Sequence, residues 1–263
     1  QDVENNYINI AVNYVNAGLF DDGLRLLSSL KDPKNPLIFY YLAWLYENIH
    51  QHAKVNEVLA SARQVSYDYC FPFRQETEKI LKFVVEKDST NSVALLLLGN
   101  LLYDKRPDEA MNAWKRAVQI NNEFPMALRN IAFGSFYYAN DIPTSIEVMK
   151  KAIALDHNQP LWYSELENYY DLSRLDFREC LRIMEKNIDV VRQDITAPQS
   201  LVKLFNLNGE YDKAIELLNS HHFRTWEGGR EIYYHYVDAY TLKALELIRK
   251  EDYQSAIEKL NKA

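Results

Sequence analysis

Three histidines and a glutamate lie within fifteen residues of one another, His221, His222, Glu231 and His235, and all four are metal-ligand types. Glu231 and His235 are four apart, so on a helix they would share a face. The reading adopted is the plainer one, in which His221 packs and His235 sits on the flank of a tyrosine-rich helix: no metal and no cofactor are expected. Between these residues lies Arg224-Thr225-Trp226-Glu227-Gly228-Gly229. An indole set between Arg224 and Glu227 has the chemistry to stack on a sugar or hold a peptide, which makes the three a candidate loop site. The competing role, taken as the expectation, is a plug in which Trp226 buries apolar area between helices while the glycines supply the turn. Serine, histidine and aspartate are otherwise scattered. With no Gly-x-Ser-x-Gly elbow, no glycine-rich phosphate loop and no His-Glu-x-x-His helix, no catalytic residue is assigned and the chain reads as a non-enzyme.

The elements that position these residues follow from a period. Leu98-Gly99 followed by Ala110, Trp114 and Ala117 has a small-plus-large pattern that recurs along the chain. The second-helix anchors Gly23, Val55, Ala110, Ser145, Cys180, Ala214 and Ala256 are spaced 32, 55, 35, 35, 34 and 42 residues apart, against about 34 for a tetratricopeptide repeat. The expected fold is all-α, a right-handed superhelix (α-solenoid) of about seven helix pairs plus an inserted helix. Units are expected near 4–35, 36–68, 92–124, 125–158, 159–192, 196–220 and 232–263, in one array over 1–263. Residues 75–87 form the inserted helix and 221–230 the inserted loop. Small residues serve close helix crossings. Gly99, inside an apolar helix at a cost of about 1 kcal/mol against Ala, marks one of them, with Tyr103 and Trp114 filling the space beside it. Asp21 is expected to cap the second helix of the first unit.

Composition narrows the partners. The 263 residues carry a net charge of −7, which disfavours a phosphate-tracking surface or a polybasic membrane patch. Neither nucleic acid nor membrane is expected. The longest apolar run, Val93 to Leu98, is far short of a membrane helix at about 20 residues. Cys70 and Cys180 fall in different repeats and read as small hydrophobes. The chain begins at Gln1 and stops at Ala263 before its last helix reaches a cap, so a fragment of a longer protein is expected.

In such arrays the first helix of each pair lines the concave face. Its fifth, ninth and twelfth positions are Tyr40, Trp44 and Glu47 in the second unit, and Leu96, Asn100 and Tyr103 in the third. They are Arg129, Phe133 and Phe136 in the fourth, and Ser164, Asn168 and Asp171 in the fifth. The partner strip is accordingly placed on Trp44, Asn100, Tyr103, Arg129, Asn130, Phe133, Tyr137 and Asn168. Asn100 and Asn130 match the two asparagines of chaperone-tail-binding repeats. Leu96 and Glu165 replace that clamp's lysine and arginine, so binding of an anionic C-terminal tail is not expected.

Tyr69-Cys70-Phe71-Pro72-Phe73-Arg74, Leu98-Gly99-Asn100-Leu101-Leu102-Tyr103-Asp104, Arg129-Asn130-Ile131-Ala132 and Phe223-Arg224-Thr225-Trp226-Glu227-Gly228-Gly229 together resemble the C-terminal repeat region of large bacterial proteins. In those proteins a galactose-mutarotase-like domain of unknown function precedes a tetratricopeptide array. The resemblance implies a bacterial, cytoplasmic protein and an N-terminal domain outside this sequence that handles carbohydrate. It implies no activity for the array. The expected function is a non-catalytic scaffold binding a protein, a peptide or that N-terminal mutarotase-like domain through the concave face. The alternative is an accessory module of a carbohydrate-active enzyme that positions sugar or closes over a neighbouring active site.

Overall fold

A computed structural model describes residues 2–173, 175–224 and 231–263. Among the described residues there are sixteen helices and no strand, and the chain divides into two compact units, Gln1–Ile131 and Ala132–Ala263.

The first unit is built of helix hairpins. α1 (Asp2–Asn16) packs on α2 (Phe20–Ser28), α3 (Pro36–Asn48) on α4 (His52–Ala62), and α6 (Ser92–Leu102) on α7 (Pro107–Ile120). α2 also packs on α3, so a second helix covers the first helix of the next pair, as in an α-solenoid. The expected inserted helix is α5 (Gln75–Lys87), and it packs against both α3 and α6. Its Ile80, Leu81 and Val84 are buried at helical spacing, together with Thr77. Starts are written locally. Asn35 accepts a hydrogen bond from Leu37 N at 2.9 Å with Pro36 following it, and Asn91 accepts from Ala94 N at 2.9 Å. Asp21 is not a cap. α2 begins at Phe20, so Asp21 lies in the first turn, where a carboxylate favours the helix dipole instead.

α8 (Pro125–Tyr137) spans the boundary at Ile131. The second unit then continues with α9 (Ile142–Leu155), α10 (Pro160–Ser173), α11 (Arg178–Lys186), α12 (Ile188–Val191), α13 (Ala197–Leu207), α14 (Tyr211–Ser220), α15 (Glu231–Arg249) and α16 (Tyr253–Leu260). α10, α13 and α15 pack in succession, and α11 and α14 cover the first helices that follow them. α12 is a single turn with no counterpart in the period. α16 ends at Leu260, and Asn261 after it keeps a helical backbone with its N–H on the Ile257 carbonyl.

One backbone device closes five hairpins. Gly18, His50, Asn140, Gly209 and Glu251 follow the first helix of a pair with φ of +75°, +62°, +51°, +77° and +62°. In each, the next N–H reaches back to a carbonyl in the last turns of the helix, for example Leu19 to Tyr14 at 2.8 Å, Gln51 to Tyr46 at 2.8 Å and Asp252 to Leu247 at 3.0 Å.

Candidate functional site

In the first unit a chain of polar groups starts from Gly99. A Cβ at this position would overlap the indole of Trp114, which fills the space left by the missing side chain. Trp114 Nε1 donates to the Leu96 carbonyl at 3.2 Å and to Asn100 Oδ1 at 3.0 Å. Asn130 Nδ2 donates to the same Asn100 oxygen at 2.7 Å, and Arg129 Nη1 donates to Asn130 Oδ1 at 3.2 Å. The Tyr103 ring lies 5.3 Å from Trp114. The structure therefore brings Asn100, Tyr103, Arg129 and Asn130 together. Asn130 is buried and Asn100 half-buried, and Asn100 lines a cleft of about 590 Å3 with Phe73, Gln75, Glu78, Asp104 and Lys105.

Trp44 is set apart from this group. It is 5% exposed, with Phe20 packed edge-on at 5.6 Å and Lys79 Nζ 4.7 Å over its ring. Lys79 belongs to α5, so the insertion covers the face that a bare repeat would leave open on α3. Tyr40 is buried too. Burial pushes its hydroxyl well above the ordinary tyrosine range, against the hydrogen bond it donates to Asn91 Oδ1 at 3.1 Å.

In the second unit the expected residues form an aromatic group. Phe133 and Phe136 lie 4.5 and 4.8 Å from Tyr137, and Phe136 stacks on buried Tyr169 at 4.4 Å. Tyr137 is exposed, and its hydroxyl accepts from Asn168 Nδ2 at 3.4 Å. Asn168 also lines a polar cleft of about 340 Å3, to which α10, α13 and α15 contribute Glu167, Asp171, Ser200, Lys203 and His235. Glu167 stands where the repeat has a small residue, and it is buried. Its carboxylate is met by Lys203 Nζ at 2.9 Å and Ser200 Oγ at 2.9 Å, and Lys203 also reaches Asp171 at 2.6 Å. Burial works against the charge on Lys203, yet its bonds to Asp171 and Glu167 hold its pKa above the usual value. His235 is held below the ordinary histidine value by burial and by the charge of Lys203.

His221 packs edge-on against Phe223 at 4.8 Å, and burial lowers its pKa. Among the described residues no group of three or more His, Cys, Asp and Glu side chains could hold a metal ion. Arg224 is exposed, while Trp226 and Glu227 lie outside the described residues. No helix among the described residues is long and apolar enough to cross a membrane.

Sequence reasoning missed the surface of the aromatic link. Cys70, Pro72 and Arg74 are buried while Tyr69, Phe71 and Phe73 are 74, 69 and 65% exposed. The signal was present as three aromatics at alternate positions in a non-helical run.

No family model matches the sequence. Among solved structures, the chain is similar to YrrB, described as a TPR protein with an unusual peptide-binding site. The two are 13% identical over 69% of this chain and 89% of YrrB, with a TM-score of 0.50. It is also similar to MamA, at 24% identity over 54% of this chain and 82% of MamA, TM-score 0.46. A third likeness is to the C-terminal part of a TPR repeat-containing protein from Cytophaga hutchinsonii, at 15% identity over 96% of this chain and 93% of that one, TM-score 0.48. The YrrB likeness and the hairpin packing within each unit agree on the fold, which is that of a tetratricopeptide-repeat array.

Proposed function

We propose that the chain is a non-catalytic scaffold that binds a protein or peptide through residues of its first helices. In the first unit these are Asn100, Tyr103, Arg129 and Asn130, with only the edge of Trp44. In the second unit they are Phe133, Tyr137 and Asn168. The observation that carries the reading is Asn100. Its oxygen is claimed twice, by Trp114 and Asn130, which fixes the amide plane, while its Nδ2 has no hydrogen-bond partner among the described residues and the residue lines a cleft. A rigid amide donor beside aromatic area suits recognition of a peptide backbone. YrrB, which shares the fold, is described as having a peptide-binding site. The mutarotase-like domain implied by the resemblance is a candidate for the protein partner. No observation favours the carbohydrate-accessory alternative over this reading.

The test uses peptides selected from a random library on the immobilised chain, then titrated calorimetrically. Asn100→Ala and Arg129→Ala are each expected to weaken binding by more than about 1 kcal/mol. Unchanged affinity in both variants would overturn the assignment to these residues.

A further inference from the structure

The link after α4 is inside out. Along 70–74 burial alternates residue by residue, which is the pattern of an extended chain, but the rings face water while Cys70, Pro72 and Arg74 face the protein. Cys70 hydrogen-bonds to Asn35 Oδ1 at 3.2 Å. The Arg74 guanidinium donates to Asn9 Oδ1 and to the Asn5 carbonyl, and it lies 4.0 Å from the Phe73 ring. The outward rings are thus held from beneath. Exposed aromatic area of this kind marks an interaction site more often than chance placement.

We propose that this link, with the cleft beside it, docks an extended, uncharged, apolar segment of a partner protein. The proposal rests on the reading of the chain as a peptide-binding scaffold and adds a surface to it. Three observations select the occupant. Alternate residues of an extended chain recur about every 6.6–6.8 Å, so Phe71 and Phe73 match the side-chain step of a second extended chain. Helix turns at about 5.4 Å and polyproline turns at about 9.3 Å do not fit that step. The backbone N–H groups of Phe71 and Phe73 make no hydrogen bond among the described residues, so they are open to an added strand. The cleft lining carries two carboxylates and two cations, Glu78, Asp104, Lys105 and Arg106, with Glu78 already tied to Lys82 at 2.7 Å and to Arg106. With its charges balanced, the lining complements a neutral segment rather than an acidic or basic tail.

The test displays random 12-residue peptides to the full chain and measures the enriched ones by fluorescence anisotropy. Enriched peptides are expected to carry apolar residues at alternate positions, without proline and near neutral. Phe71→Ala/Phe73→Ala is expected to weaken them at least tenfold with the melting curve unchanged. If the double variant melts early, Phe73→Leu, which keeps a cover over Arg74, is used in its place with Phe71→Ala. Peptides with helical or proline spacing, charged peptides, or full affinity for the ring variants would overturn the proposal. If affinity falls in Asn100→Ala and Arg129→Ala but not in the ring variants, the link fails and the scaffold reading stands. If no peptide is enriched, both fail.

Discussion

The indole of Trp114 occupies the volume that a side chain at Gly99 would take. The crossing of α6 and α7 is therefore set by a pair of residues, one absent side chain and one large one. Gly99→Ala gains up to about 1 kcal/mol of helix propensity but forces the indole out of its seat. The expected net result is a loss of about 1–3 kcal/mol, read by chemical denaturation. A stabilised variant would show that the crossing is looser than the structure has it.

Ala110 is fully buried on α7 beside the same crossing. Ala110→Leu has no space to enter and is expected to cost about 1–3 kcal/mol. Circular dichroism at 222 nm through a thermal ramp checks it.

The left-handed residues between paired helices differ in cost. His50 and Glu251 carry a Cβ where Gly18 and Gly209 carry none. A non-glycine residue in this region costs about 1–2 kcal/mol, partly offset by the entropy that glycine loses on folding. His50→Gly and Glu251→Gly are each expected to raise stability by about 0.5–1 kcal/mol, seen as a higher denaturation midpoint. Asn140→Gly should gain less, because asparagine tolerates the conformation.

Burial alone would raise the pKa of Asp88, but the hydrogen bonds from Arg63 at 2.6 and 2.7 Å and from Thr90 at 2.8 Å hold it below the usual aspartate value. The folded chain therefore binds that proton less readily than the unfolded chain does. Stability from this group is complete above the unfolded value of about 3.9 and is lost as pH falls through the lower folded value. The melting difference between the protein and Arg63→Gln is expected to narrow as pH falls below about 4. A difference independent of pH would remove the ion pair from the account.

Lys203 neutralises Glu167, a carboxylate whose side chain is only 9% exposed. Lys203→Met would leave Glu167 with Ser200 alone, at an expected cost of about 1–3 kcal/mol. Lys203→Met/Glu167→Met should recover part of that loss. A double variant weaker than the sum of the two singles would contradict the pairing.

The period made the helices and their order legible, and α5 was readable to the residue, because apolar spacing is local. What lay beyond it was the cover that one helix gives another. Trp44 holds a ninth position of the repeat, but Lys79 and Phe20, far from it in sequence, close over the ring. The aromatic link failed for the opposite reason. Hydrophobicity counts Phe71 and Phe73 as core, while the anchoring of Arg74 to α1 turns the alternation outward. Glu167 stands where the repeat has a small residue, and its partners Lys203 and Ser200 come from the next repeat, so the pairing became visible only in three dimensions.

Because α5 packs against both α3 and α6, the first unit does not step evenly along its first helices. Packed helices lie about 8–10 Å apart, so an interposed helix can set α3 and α6 up to about 16–20 Å apart, the span of five or six extended residues. A bound chain that touches both would cross a stretch met only by α5, where Lys79, Lys82, Phe83 and Glu86 line a shallow cleft with Trp44. A chain bound to both α3 and α6 would need a spacer of about that length between the residues that meet them.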